Sequence, residues 1–507
     1  MMRLALAMVG IGIALSARGQ NAMLILNEDN DHYFKLPAAR MNVADLQTYV
    51  DQLANTKVTH FFMCPNGQRT SYRSAVHEAI WDEVDGKPQT NIWCVNAKIL
   101  HDKGIDPYSV WIKRCREKSI SPWITMRMND VHFVTTPGYF RNTTFWQKRS
   151  DLWRVPEAKG GAWTDFAFDY SKPEVREYHL ALVRELLERY DMDGLELDWM
   201  RFGRHLTPGH EAEQAPILTE FTRQVRQLTN QWAVKRGHAI KLGARIPSHP
   251  DAAVGLGMDG ITWAKAGLVD LLVVSPFFST ADFDIPIELW RERLGPDAAN
   301  LPIIPAIDNG TAAYPGAPRV DLDLAMYYGW ATALRQRGAD SFDLFNLVYR
   351  PQDKPPYRTI LDHGLAEAVI QSNRRRHVLG YRDTVPPGFP NGAQLPKTTD
   401  KPTGFSLAIG KRPSAGRVFV VIGLGETPGV AEASLAVSLN GQQASAGADV
   451  PNPHPYGRNV ARVLRFEISP ATTRNGMNAV RVEKTTGEPQ RLVWAEIEIV
   501  PPATVEE

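Results

Sequence analysis

Cysteine is scarce in this chain: Cys64, Cys94 and Cys115 are the only three in 507 residues. An odd, sparse set without metal-site spacing excludes a disulfide framework and a cysteine-ligated zinc. A single bridge, Cys64 to Cys94 for instance, and three buried thiols remain equally open. Charge of one sign is lacking too. Fifty-seven Lys and Arg against 56 Asp and Glu leave a net charge of +1, so no basic field points to nucleic acid or to an anionic membrane surface. Past the first twenty residues no apolar run reaches membrane-spanning length. No glycine-rich phosphate loop follows the first strand-like run, which counts against nucleotide binding. No Gly-x-Ser-x-Gly elbow occurs, which counts against a serine hydrolase. His205, His210 and Glu211 lack the i,i+4 spacing of a helical metal site and suggest a solvated loop. Asp29 and Asp31 do not form an EF-hand pattern. No metal and no cofactor is expected.

The bulk composition, 43% hydrophobic and 22% charged, is that of an ordinary globular enzyme. At the N-terminus, Met1-Met2-Arg3 precedes an apolar run from Leu4 to Leu15 and then small and polar residues to Gln20. This is the pattern of an export leader, so residues 1–20 are set aside and a periplasmic or secreted mature protein is expected.

Eight short apolar, β-rich runs follow: Met23–Leu26, Val58–Met63, Trp123–Met126, Gly194–Asp198, Ile240–Arg245, Val269–Val274, Ile303–Ile307 and Ser341–Leu347. Helical patterns separate them. Before Gly194, Ser171 to Glu174 supplies an N-cap, an early proline and a capping-box glutamate, and Val175, Leu182, Val183, Leu186 and Leu187 form one stripe. Leu218–Ala233, Ile287–Leu294 and Asp323–Arg337 are further helices. Strand-then-helix repeated eight times predicts a (β/α)8 barrel over residues 21–383. Residues 384–403, rich in Pro, Gly and Lys, are expected to be a linker. Alternating runs separated by Asn440-Gly441 and Asn475-Gly476 predict a β-sandwich, jelly-roll-like, over residues 404–502. With few large aromatics there, a bracing role is favoured over sugar binding.

Chemistry in such a barrel sits at the carboxyl ends of the strands. The fourth run ends Glu196-Leu-Asp198, two acids of one parity on a strand otherwise expected to be buried. Asp198 is therefore the leading catalytic candidate, and the deeper Glu196 is the more structural of the two. Asp284, Asp282 and Asp308 follow the sixth and seventh runs and rank equally as a second acid. Arg127 and Arg245 are placed to pair with Asp198, for catalysis or as a structural salt bridge. Glu196, Arg201, Arg127, Asn129, Asp130, Arg245, Asn346 and Asp29 complete a ring of acids, amides and guanidinium groups suited to sugar hydroxyls. Asn30, His32 and Tyr349 lie at the same strand ends.

Asp193-Gly-Leu-Glu-Leu-Asp-Trp-Met-Arg201 resembles the fourth-strand signature of the glycosyl-hydrolase-like 10 group of barrels. Trp263-Ala-Lys-Ala-Gly-Leu-Val-Asp270 resembles that group's passage into the sixth strand, and Arg337-Gly-Ala-Asp-Ser-Phe-Asp-Leu-Phe-Asn346 its eighth strand. The resemblance spans roughly Met23 to Ile370 and implies a barrel acting on glycosidic bonds. The same strand is similar to that of family 18 chitinases, but Met200 stands where their terminal glutamic acid would be, which argues against substrate-assisted chemistry. An aspartate ending the fourth strand also resembles barrel α-glycosidases, whose acid comes from a later strand. The expectation is an exported glycoside hydrolase with Asp198 as nucleophile and a carbohydrate as its partner. The alternative is a carbohydrate-binding barrel without turnover. Oligomeric state is left open.

Overall fold

Uninterrupted apolar runs separated by helices bury both faces of a parallel sheet, open or closed. The computed structural model of the protein describes residues 22–29, 32–136, 138–347, 355–451 and 456–502. The expected leader over residues 1–20, together with Asn30, Asp31 and Tyr349, lies outside them. Eight strands, β1 Leu24–Glu28, β2 His60–Met63, β3 Ser121–Arg127, β4 Gly194–Asp198, β5 Lys241–Pro247, β6 Leu271–Ser275, β7 Ile303–Ile307 and β8 Phe342–Phe345, form a closed barrel. Each pairs with its neighbours in parallel, and β8 closes on β1 with Leu24 opposite Phe342. This is the expected (β/α)8 barrel.

Inside the barrel Ile25, Phe62, Trp123, Leu271, Val273, Ile304 and Ala306 pack as a separate apolar plug. Trp123 stacks on Phe62 with ring centres 4.7 Å apart. Its indole fits because β4 and β5 carry glycines beside it: a Cβ on Gly194 would lie 2.5 Å from the ring and one on Gly243 3.3 Å from it. Above this plug the inward positions turn polar, and that change in lining sets the place of the site.

The helix before β4, α1 Pro173–Arg189, buries the expected stripe. Its start differs from the expected capping box. Lys172 holds the N-cap position and makes no side-chain cap, while the Asp169 carboxylate accepts from the Ser171 backbone N–H. The helix after β4, α2 Glu211–Arg236, begins seven residues before Leu218 and runs through Pro216. Pro216 is the sixth residue of α2, where it removes one i→i−4 hydrogen bond without ending the helix. The loop ahead of α2 is only partly solvated. His210 is exposed, but His205 is fully buried, bonded to the Trp199 carbonyl at 2.7 Å and to Asn129 at 3.0 Å. Cys64, Cys94 and Cys115 are free and buried. Among the described residues no helix is long and apolar enough to cross a membrane.

The C-terminal region forms two antiparallel sheets. One contains β9 Arg375–Val378, β11 Arg417–Leu424, β13 Arg462–Ile468 and β15 Arg491–Val500, and the other contains β10 Thr403–Ile409, β12 Ser434–Leu439 and β14 Gly476–Thr486. Strand β9 precedes residue 383 in the chain, yet it pairs with β15. It also packs against the helix between β7 and β8, α3 Leu324–Gln336. That contact is close: a Cβ on Gly329 of α3 would lie 2.1 Å from the Arg376 carbonyl oxygen, and one on Gly410 would lie 2.2 Å from Thr332. Arg376 is buried there, donating to both oxygens of Glu496 at 2.9 and 2.7 Å and to Asp323 at 2.7 Å.

Candidate active site

The strand pleat carries Asn27, Thr125, Glu196 and Asp343 into the barrel above the apolar plug, while Leu195, Leu197, Phe342 and Leu344 face the helices. Glu196 Oε2 accepts from Asn27 Nδ2 at 3.1 Å and from the Thr125 hydroxyl at 2.5 Å, and the same Asn27 amide reaches Asp343 at 3.5 Å. Glu196 and Asp343 are fully buried. Burial, then the negative charges of Asp343 and Asp198, push the Glu196 carboxyl up, and burial does the same to Asp343 against the pull of Arg245. Between them the pair keeps a proton at neutral pH. Asp343 was not among the expected site residues. It obeys the same parity rule as Glu196, an acid between outward-facing Phe342 and Leu344, and that signal marks it.

One layer higher, Arg245 Nη1 donates to both oxygens of Asp198 at 3.1 Å. Asp198 Oδ1 also accepts from the backbone N–H groups of Met200 and Arg201, each at 3.0 Å, which ends β4 in a tight turn. Among the described residues Oδ2 accepts from Arg245 alone and keeps lone-pair capacity. Asp198 is 2% exposed. The Arg245 guanidinium lies 3.6 Å over the centre of the Phe345 ring, and its Nε donates to Ser275 at 3.2 Å. Pairing and stacking together fix this cation. Met200, in the place of the missing glutamic acid, is buried.

Around this centre Asp29 accepts from Arg127, from Arg201 at 2.9 Å and from Asn346 at 3.2 Å. Burial opposes its ionisation, but Arg127 and Arg201 hold its carboxyl well below the usual range. Asp130 is paired with Arg127 at 2.7 Å and with His132 at 2.7 Å. Five of the expected ligands, Asp29, Arg127, Asp130, Arg201 and Asn346, are thus brought together as one ion-paired rim. Asn129 is not part of it. Its side chain bonds the backbone of Phe168 in both directions, at 3.1 and 2.9 Å, and clamps a loop.

The three second-acid candidates separate clearly. Asp308 follows β7 and is 6% exposed. Burial raises its pKa, while Arg319, 3.3 Å away, and the more distant Arg201 and Arg245 lower it. Asp282 is buried against the Ser248 hydroxyl at 2.7 Å and lies 3.4 Å from Arg382. Asp284 is exposed and pairs with Arg337 and Arg382. Both line a crevice with residues 378–382 and 406–408, along the seam with the C-terminal sheets. Asp308 is within electrostatic reach of Arg201 and Arg245. Asp383 belongs to the same seam and escaped the sequence reading. Its carboxylate accepts the backbone N–H groups of Phe277, Phe278 and Ser279 at 2.8–3.0 Å, and so fixes the loop after β6.

The Glu196–Asp343 pair has a measurable consequence. A carboxyl that binds its proton more tightly folded than unfolded costs stability as pH rises from its ordinary value toward its folded one. For Glu196 that window runs from 4.5 up to about 8. Glu196→Gln removes the penalty, so it should flatten the fall of Tm with pH and gain on the order of 3 kcal/mol over the native chain near pH 8. Thermal melts of both proteins from about pH 5 to about pH 8 check this. Parallel curves would mean that the pair carries no extra proton.

No protein-family model matches the chain, and neither does any curated protein. Solved structures do resemble it. An α-L-fucosidase, isoenzyme 2, from Paenibacillus thiaminolyticus is 15% identical, with 70% of this chain and 51% of that one covered and a TM-score of 0.41. An endo-β-1,4-mannanase from Thermotoga petrophila is 11% identical, with 95% and 98% covered and a TM-score of 0.42. A GH36 α-galactosidase from Geobacillus stearothermophilus is 11% identical, with 92% and 56% covered and a TM-score of 0.38. The match spans about half the length of the fucosidase. At these scores the likeness assigns no activity, and any functional conclusion has to come from the carboxylates and guanidinium groups at the barrel mouth.

Proposed function

We propose that the barrel mouth hydrolyses a glycosidic bond of an oligo- or polysaccharide, with Asp198 as the carboxylate that meets the anomeric centre and Asp308 as the proton donor. Glycoside cleavage needs two carboxyl groups in unlike environments. The observation that carries the reading is this contrast between two strand ends on one barrel mouth, those of β4 and β7. Asp198 is charge-paired with Arg245 and bonded to two backbone amides. Asp308 is buried at the end of β7 with its proton held more tightly than usual. In the reaction Asp308 gives its proton to the leaving oxygen. Asp198 Oδ2 either bonds to the anomeric carbon or stabilises its positive charge while water attacks. The ion-paired rim supplies acceptors and donors for sugar hydroxyls. Export of the chain and membership of the glycosyl-hydrolase-like 10 group belong to the same proposal.

The test is release of reducing sugar from a panel of polysaccharides by the full chain, repeated with Asp308→Asn. Release by the native protein that the variant loses supports the reading, and equal release by both overturns it. A carbohydrate-binding barrel without turnover is the second reading. It is favoured by Asp198 Oδ1, which already accepts three donors. Sugar binding by the native chain with no release would establish it instead.

A further inference from the structure

Among the described residues only three Phe, Tyr or Trp side chains are exposed: Phe133, Trp163 and Phe278, at 54%, 42% and 46%. They come from three separate loops, yet they belong to one continuous row of rings. Phe133 lies beside His132 at 6.4 Å, His132 beside Phe202 at 4.7 Å, and Phe202 beside Trp163 at 5.3 Å and Phe277 at 5.1 Å. Trp163 and Phe277 are 5.7 Å apart, and Phe277 meets Phe278 at 4.6 Å. Two members are held in a backbone conformation that bulky side chains rarely adopt: Phe133 at φ +54° and Phe202 at φ +66°. Such strain persists where the surroundings enforce it, and it collects at ligand-binding sites.

The row also leads to the mouth. Arg201 lies 5.9 Å over Phe202 and 5.7 Å over Phe345, and Phe345 carries the Arg245 that holds Asp198. We propose that this ridge is a stacking subsite for the pyranose rings of an extended glycan whose scissile bond lies at Asp198. The direction of the chain rests on the hydrolase reading; the stacking surface does not. A sugar ring shows an apolar C–H face to an aromatic ring and hydroxyls at its edge. The ridge offers the matching pair: rings on top, with the Asp130–His132 and Asp29–Arg201 ion pairs beneath. An apolar protein partner would cover those charges without satisfying them. Phe202 and Phe277 are buried and join the row from below, and the three exposed rings, Phe133, Trp163 and Phe278, suit a polymer rather than one sugar.

The test is affinity electrophoresis of the full chain through gels holding galactomannan, mixed-linkage β-glucan, xylan or dextran. It is repeated with Trp163→Ala, Phe278→Ala, the double variant and Asp198→Asn, each checked for folding by circular dichroism. Both aromatic positions are exposed, so their truncation should leave the fold intact. At least one polymer should retard the native chain and Asp198→Asn alike, with retardation at least tenfold weaker in the double variant. For the polymer that is cleaved, the double variant should raise KM and leave hydrolysis of a short aryl glycoside unchanged. Retardation equal in native and double variant, or retardation of the native chain by none of the four polymers, overturns the ridge. So does a native dimer in sedimentation that the double variant dissociates, because the ridge would then be a contact between copies. Full turnover by Asp198→Asn would sink the hydrolase reading and leave the ridge standing.

Discussion

Asp198→Asn should lower kcat roughly 10⁴-fold on any substrate the native protein cleaves. The amide keeps an acceptor for the Met200 and Arg201 backbone N–H groups, so the turn at the end of β4 survives. It loses the charge that would meet the anomeric centre. It also takes from buried Arg245 its hydrogen-bonded carboxylate and leaves it only the more distant Asp343 and Asp308, at a cost of about 3 kcal/mol. These two losses are separable. If Asp198 only braces the barrel, activity falls in proportion to the folded fraction and returns when stability is restored. If Asp198 reacts, the folded variant is inactive. Kinetics on protein shown by circular dichroism to be fully folded decide between them, and retained kcat in that sample overturns the assignment.

Asp308→Asn should cost about 10²–10⁴-fold in kcat on substrates with sugar leaving groups, and far less on aryl glycosides whose leaving group departs without a proton. That selectivity marks a proton donor, because a residue that only braces the loop would slow both substrates equally. Activity needs Asp308 protonated, so the rate should fall as pH rises through its pKa. Arg319 lowers that pKa. Arg319→Met therefore raises it and should carry the basic limb of the kcat/KM profile to higher pH, by about one unit or less for a partly exposed cation. A limb that stays in place assigns the titration to another group. The anomer first released, followed by NMR, reports the stereochemistry. Carboxyl groups about 5 Å apart retain configuration and those roughly 6.5–9.5 Å apart invert it.

Much of the barrel was legible because its strands are unbroken apolar runs between amphipathic helices. Gly194–Asp198 and Ile303–Ile307 were bounded to the residue, since each starts and stops at a sharp change of polarity. β9 was not foreseen. Arg375-Arg-His-Val378 looks like a charged tail, and only the structure supplies Glu496 and Asp323, which let Arg376 be buried on a strand. At the site, parity on β4 located Glu196 and Asp198. The same parity marks Asp343 in Phe342-Asp-Leu-Phe345, between two apolar residues that face the helices. Asp282, Asp284 and Asp308 could not be ranked by position alone. Their separation depends on Arg382 and Arg337, which are distant in sequence and close in space. The aromatic ridge was invisible for the same reason, since its rings come from loops that no periodicity connects.

The Asp383 clamp bears on how freely this protein's parts can be exchanged. The three amides it gathers belong to the loop that carries Phe277 and Phe278, and the clamp itself is strung between β9 and β10 of the C-terminal sheets. The tail is therefore no interchangeable module. Grafting another appendage in its place would also redraw one wall of the mouth, so appendage and substrate preference should be inherited together.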